Sequence, residues 1–524
     1  MIKKISLTLL VIPFLVFAQT QSDHPNILLL MAEDMSPRVG AFGDSVAVTP
    51  NIDKLASEGV RYPNTFTTAG VCAPSRAATI MGVHQISFGG QHMRASSRPE
   101  GGYKAVPPAH MKAFPEHLRA AGYYTYTTNK LDYQFSSPFP GTGPFTIWDA
   151  EGSDPHWRDA PPEKPFFGYL NFPVTHESGV FTPLGHWPSG VMHFVMQVLR
   201  AWKEGLPPAN DPVEPAQIVL EPYYPDTPTV RNDIARHYNN IAILDQQVGE
   251  VLDQLEQDGL VENTIVIWTT DHGDGLPRAK RELYDSGIKV PMVIRWPEKY
   301  RPANVKPGEF DERLISFVDL APTILALAGV KIPVYTHGQD LTDNNIPKRE
   351  YIYASRDRID EIADRQRAVR DTRFKYIRSY HPTQEGGHHL KYRDSIAMMR
   401  EMFDLLEAGK LNEQQRLWFM PPGDERLFDL QADPHELNDV ASDPAYTNDL
   451  ARMRNAYAEW RERVEDWSDE PEATMVKRFQ SGGEQQKTAA PKVAVINGSA
   501  TITSASEGAS IGYRLDNGDW QLYT

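Results

Sequence analysis

The sequence predicts an α/β protein: a large mixed, mostly parallel sheet flanked by helices, with a smaller C-terminal α+β subdomain and a short terminal β module. Three observations carry this. Residues 26–31 and 263–270 are continuous apolar runs that end in acidic residues, the pattern of strands buried on both faces. Amphipathic helical stretches lie around them, at 52–58, 114–121 and 229–258, the last closed by Gly259. Beyond Gly329 the pattern shifts to short strands and one late helix.

From the N-terminus, two lysines, an apolar run from Ile5 to Phe17 and Val16-Phe17-Ala18 have the charged, apolar and small-residue parts of a secretory signal. Residues 1–18 therefore read as a leader, and the protein as exported, periplasmic or secreted. The run is too short for a comfortable membrane span, and nothing else in the chain reads as one. Residues 19–345 hold the strand–helix alternation and form the expected catalytic unit. Residues 346–467 form the smaller subdomain, with strands at 351–354, 374–378 and 425–430 and a helix at 448–465. The polar stretch 468–491 reads as a linker. Residues 492–524 alternate apolar and polar residues, with Asn-Gly turns at Asn497 and Asn517, and read as a short β module, incomplete as a domain.

A chain of 524 residues with 40% hydrophobic and 23% charged residues is an ordinary globular protein, large enough for two or three units. Its net charge of −16 argues against a nucleic-acid backbone as the main ligand, because phosphate binding wants basic surface. An anionic substrate would need a local cluster of cations, and a bound metal ion would help.

The chain has one cysteine, so no internal disulfide can form. Val71-Cys-Ala-Pro-Ser-Arg76 opens a small-residue helix over 77–81, with Pro74 suited to its first turn. Cys72 then sits where unpaired N–H groups and the helix dipole favour negative charge, with Arg76 one turn along. Glu33-Asp34 and Asp271-His272 each follow a predicted strand. In open parallel sheets such strand exits converge on one crevice.

Cys72-Ala-Pro-Ser-Arg76 matches the C-x-P-S-R signature of the formylglycine-dependent type I sulfatases, whose fold is alkaline-phosphatase-like. The resemblance extends over residues 25–329 and more loosely to 466, through Asn26–Asp34, Thr49–Gly59 and Thr270-Asp-His-Gly273. It looks nearest to the heparan N-sulfatase-like branch, which includes ulvan-active polysaccharide enzymes. The resemblance implies that a maturation enzyme converts Cys72 to formylglycine (3-oxoalanine), and that Ca2+ is held by Glu33, Asp34, Asp271, His272 and the side chain at 72. It further implies that Arg76, Lys130 and Lys280 hold sulfate and that His176 stands near the leaving oxygen. Arg278 and Arg281 compete with Lys280. Three positions depart from the family pattern: Glu33 replaces Asp, His272 replaces Asn, and Asp132 replaces a His. His272 is then either a ligand or a hydrogen-bond donor to substrate.

His92, Arg94, Arg281 and Arg356 are further candidates for contact with the saccharide. The expected activity is that of a sulfuric ester hydrolase acting on a sulfated polysaccharide or oligosaccharide, ulvan or heparan-type, at O- or N-sulfate. A phosphoryl hydrolase of the same superfold, and a protein that binds sulfated glycan without turnover, are the alternatives.

Overall fold

The computed structural model describes residues 24–523 apart from 96, 97, 99, 204–212, 304, 517 and 519, so the expected leader and the Asn517 turn lie outside the described residues. Eight strands form the main sheet: β1 (Asn26–Ala32), β2 (Val60–Phe66), β3 (Tyr124–Thr128), β4 (Ala150–Gly152), β5 (Phe166–Phe172), β6 (Thr264–Thr270), β7 (Lys289–Arg295) and β8 (Ile315–Ser316). Their order is β4-β3-β5-β1-β6-β7-β2-β8. β4, β3, β5, β1 and β6 run parallel, while β7 is antiparallel to both its neighbours. The sheet is thus mixed and mostly parallel, as expected.

β1 shows why a continuous apolar run makes a central strand. Ile27, Leu29 and Met31 enter the core on one face, and Leu28, Leu30 and Ala32 enter the core on the other. Helices α1 (Pro50–Glu58), α2 (Cys72–Met81), α3 (Phe114–Ala120), α4 (Val191–Lys203) and α5 (Pro228–Gln257) accompany the sheet. The long α5 starts where the Thr227 side chain accepts the Val230 N–H and Pro228 presets the first turn; Gly259 follows its end at φ 68°. β1 pairs with β5 and β6 in a register that aligns Ala32 with Phe172 and Thr270, so the residues after all three strands meet at one edge.

The C-terminal sheet has the order β12-β11-β10-β9, from β9 (Ile352–Arg356), β10 (Gln366–Arg370), β11 (Phe374–Ser379) and β12 (Glu425–Asp429). β10 is not visible in the sequence, since Gln-Arg-Ala-Val-Arg has little apolar alternation. It is buried because Arg367 donates to both oxygens of Asp466, at 2.8 and 2.9 Å, and to Asp357 at 3.0 Å. The late helix covers 447–463 and packs Met453 and Trp460 against this sheet; Trp460 stacks on Tyr353 at 4.9 Å.

The stretch expected to be a linker is not extended throughout. Residues Glu472–Phe479 form a helix whose Met475 and Phe479 are buried with Tyr103 and Ala95 of the larger unit. Four apolar positions within a polar window suffice, because their partners lie far away in sequence. Beyond it, β13 (Lys492–Ile496) pairs with β14 (Ser499–Thr503), and β15 (Ile511–Tyr513) with β16 (Gln521–Tyr523), as two separate ribbons. The second lies against the larger unit, with Phe145 and Trp520 ring to ring at 5.5 Å. Among the described residues no helix is long and apolar enough to cross a membrane.

Candidate active site

Glu33 and Asp34 leave β1, Asp271 and His272 leave β6, and Cys72 opens α2 beside them. Asp34 turns out of its strand at φ 48°, a left-handed conformation that Asp tolerates better than most residues. Gly273 lets the chain after His272 press against the carbonyl of Ser286, where a Cβ would collide. All five side chains are buried, at 2% exposure or less.

Cys72 Sγ is 3.3 Å from His272 Nε2 and 3.8 Å from Asp34 Oδ1. One ligand atom each from Asp34, Cys72, Asp271 and His272 lie within 4.8 Å of one another, and a second such group joins Glu33, Asp34 and His176. Three cations interleave with the carboxylates. Arg76 donates from Nε to Asp271 at 2.9 Å and from Nη1 to Asn171 at 2.6 Å, Lys130 reaches Glu33 at 2.8 Å, and Lys280 bonds Asp34.

The electrostatics follow from burial and pairing. Desolvation opposes the charge of Asp34, but Lys280 and His272 outweigh it and hold the carboxyl well below its usual range. Desolvation likewise opposes the charge of His272, and Asp271 and Asp34 overcome it, raising the imidazole to about 10. Lys130 and Lys280 are both raised: burial opposes their charge, but neighbouring acidic groups outweigh it. His176 is pushed the other way, well below its ordinary value, by burial and then by Lys280. It is therefore neutral at neutral pH. The Ser178 N–H donates to its Nδ1 at 3.3 Å, which leaves the proton on Nε2, on the side of Glu33 at 3.9 Å.

The structure thus brings together Glu33, Asp34, Cys72, Arg76, Lys130, His176, Asp271, His272 and Lys280. Arg94 stands at the edge, partly exposed, gripped by both oxygens of Asp132 at 2.6 and 3.1 Å. Asp132 therefore fixes an arginine where the family pattern has a histidine. Arg281 is buried and donates twice to Glu177, each at 2.8 Å, while Arg278 is turned to the carbonyls of His435 and Glu436. Of the three competing cations only Lys280 faces the acidic cluster. Arg356 is not brought to the pocket: it is 3% exposed and paired with Glu282 and Asp364. His92 is also buried, accepting the Arg358 N–H at 3.2 Å beside Glu472.

The sequence did not single out Asn171 or Glu177. Asn171 is in β5 one strand away from Glu33, so its position near a strand end was the available signal. Glu177 directly follows His176.

A nucleophile at a helix start, with carboxylates and three cations around one small space, defines a site for hydrolysing an ester of a tetrahedral oxyanion. Residues 25–157 and 155–330 match the family model described as Sulfatase, and residues 278–416 match that of the N-sulphoglucosamine sulphohydrolase C-terminal region. An ulvan-active sulfatase of Formosa agariphila is 42% identical over 94% of this chain and 84% of its own. The human N-sulphoglucosamine sulphohydrolase is 25% identical, over 87% of this chain and 93% of its own. Among solved structures, a 2-O GAG sulfatase superposes with a TM-score of 0.58 at 19% identity, covering 85% of this chain and 93% of that one. The chain belongs to the sulfatase family.

Proposed function

We propose that the protein hydrolyses O-sulfate esters of an ulvan-type sulfated polysaccharide, with position 72 in its formylglycine form and a calcium ion in the acidic cluster. The observation that carries this reading is the placement of Cys72. Its Sγ marks where the oxygens of the converted side chain would lie, between Asp34 and His272 and at the start of α2. The ulvan-active relative supports the substrate class. The leader-like residues 1–18 support export to the periplasm or medium, and the C-x-P-S-R motif supports recognition by a formylglycine-generating enzyme.

The residues suit calcium. Glu33, Asp34 and Asp271 offer hard carboxylate oxygens, and Glu33 Oε1 is buried with no hydrogen-bond partner. His272 Nδ1 faces the Gly273 carbonyl at 2.9 Å, which leaves Nε2 turned to the cluster. When bound, the ion supplies Lewis-acid charge beside the sulfate, and the hydrated aldehyde at 72 supplies the nucleophilic hydroxyl.

The chain's own residues do the rest. Arg76, Lys130 and Lys280 offer three fixed positive groups to the sulfate oxygens, preorganised by carboxylates and by Asn171, so little reorganisation is needed as charge develops. Neutral His176 points its Nε2–H toward the place of the departing sugar oxygen and offers it a hydrogen bond. Asp34 is near enough to side chain 72 to accept its proton, whereas His272, raised to about 10 by Asp271 and Asp34, already carries one. Burial of the whole cluster excludes bulk water and strengthens each of these interactions.

The test is sulfate release from ulvan oligosaccharides, read by ion chromatography, with mass spectrometry of the tryptic peptide containing position 72. Protein matured in a competent host should release sulfate and show that peptide about 18 Da lighter than the thiol form. Stoichiometric glycan binding with no sulfate release, or an active protein with an intact thiol, would overturn the reading.

A further inference from the structure

Helix α4 (Val191–Lys203) is built inside out. Its polar side chains face the protein. His193 is 0% exposed, accepts the Ser189 N–H at Nδ1 and donates from Nε2 to the Thr182 carbonyl at 2.9 Å. Gln197 donates to the carbonyls of Thr182 and Pro183 at 2.9 and 3.0 Å, and Arg200 to that of Val174 at 3.0 Å. Its apolar side chains face outward. Val191, Phe194, Val195, Val198 and Trp202 are all exposed, and Trp187 extends the patch from the preceding turn. Trp187 is 94% exposed, Val191 82% and Trp202 80%, values that a solvated helix face does not explain.

We infer that this stripe is a contact surface between two copies of the chain. Positions 191, 195, 198 and 202 are spaced four, three and four apart, which places them on one seam of the kind that packs against another helix. No Asp, Glu, Lys or Arg occurs from Ser178 to Leu199. Anionic lipid and anionic polysaccharide therefore find no cation from Trp187 to Val198, Arg200 is turned inward to the Val174 carbonyl, Lys203 alone follows Trp202, and the net charge of −16 repels both. A second copy offers an equally uncharged surface, and two Trp, a Phe and three Val match the charge-depleted, aromatic-rich centre of homodimer interfaces. At the exposed fractions found, the patch presents roughly 800 Å², with fully buried aromatic residues contributing ~150–250 Å² each, the size of one partner's share of a standard interface at about 800 Å².

A closed pair has a two-fold axis; with that axis perpendicular to α4 and passing near Val195, the middle of the exposed seam, the two α4 helices cross antiparallel. The reverse side of the same helix steadies the site: Arg200 bonds the Val174 carbonyl, at the turn leading to His176. Pairing therefore braces one wall of the active site from behind.

Sedimentation velocity of the full chain over micromolar concentrations tests this, with V195E and V198E as disrupting variants and circular dichroism as a check on folding. The expected result is a monodisperse species of twice the chain mass, weakened at least about tenfold by either substitution. V195C gives a second measurement that tolerates no such charge. It should cross-link to its own copy on oxidation, whereas W202C should not, because antiparallel pairing about Val195 separates the two copies of residue 202 by about 21 Å. A monomer at every concentration, association indifferent to V195E and V198E, polydisperse aggregates, or co-flotation with neutral phosphatidylcholine vesicles in place of pairing would each overturn the inference.

Discussion

Replacing Glu177 by Gln removes one charge from a buried ion pair beside the site while keeping the shape of the side chain. Glu177 is 1% exposed, accepts both Arg281 Nη groups at 2.8 Å, and lies 3.8 Å from Lys280. After the change, Arg281 keeps among the described residues only Asp360, at 3.9 Å, as a carboxylate partner. Breaking a buried pair by deleting one partner costs about 3–5 kcal/mol. The amide oxygen still accepts one hydrogen bond, which returns about 1–2 kcal/mol, so a net loss of about 2–3 kcal/mol is expected. At about 2 °C per kcal/mol for a large domain, the melting temperature of E177Q falls by about 4–6 °C in differential scanning calorimetry. Lys280 loses a second carboxylate, so sulfate release also falls. The double variant E177Q/R281M removes the orphaned charge and should recover more than half of the lost stability. If E177Q melts with the wild type, or if R281M adds its full cost on top of E177Q, the pair is not the buried, mutually dependent element described here.

Three further outcomes follow from the same geometry. C72A should lower sulfate release by at least about 10³-fold with the melting temperature nearly unchanged, since a small buried side chain is replaced by another; retained activity refutes its role as nucleophile. Removal of calcium with a chelator should lower the melting temperature and its return should restore it, by about 2.7 kcal/mol when calcium exceeds its Kd a hundredfold; a melt indifferent to both treatments refutes the metal site. Burial lowers His337 to about 4 from an unfolded value of 6.5. The unfolded chain therefore binds the extra proton between those values, and stability falls by about 2–3 kcal/mol as pH drops from 6.5 toward 4. H337Q should flatten that slope in melts at neutral and acid pH, and an unchanged slope counts against this assignment.

The parts of the fold that were legible in the sequence are those whose determinants are local. β1 and β6 are apolar without interruption because both faces are covered, and their acidic exits follow in the next two residues. Cys72 and Arg76 sit within one short motif. The parts that were not legible depend on partners far away. β10 is held by Arg367 against Asp466, and the helix Glu472–Phe479 by Tyr103 and Ala95. Arg356 and His92 have the residue types of substrate contacts, but the carboxylates that enclose them, Glu282 and Glu472, lie 74 and 380 positions away in the chain. Asp132 reads as a lost donor only until Arg94 is seen clasped to it.

The distance along the chain between such partners sets a timetable. Glu472 bonds both Arg358 and Tyr103, and it follows Tyr103 by 369 residues. At about 5–20 residues per second of synthesis, the segment around Tyr103 waits roughly 20–70 s for that partner. His272, which lies over Cys72, comes 200 residues after it, a wait of about 10–40 s. Until then the cysteine cannot be enclosed as it is in the finished protein. Any reagent or enzyme acting on this side chain would find it open while the polypeptide is still being made, and closed to it once the two strand exits meet.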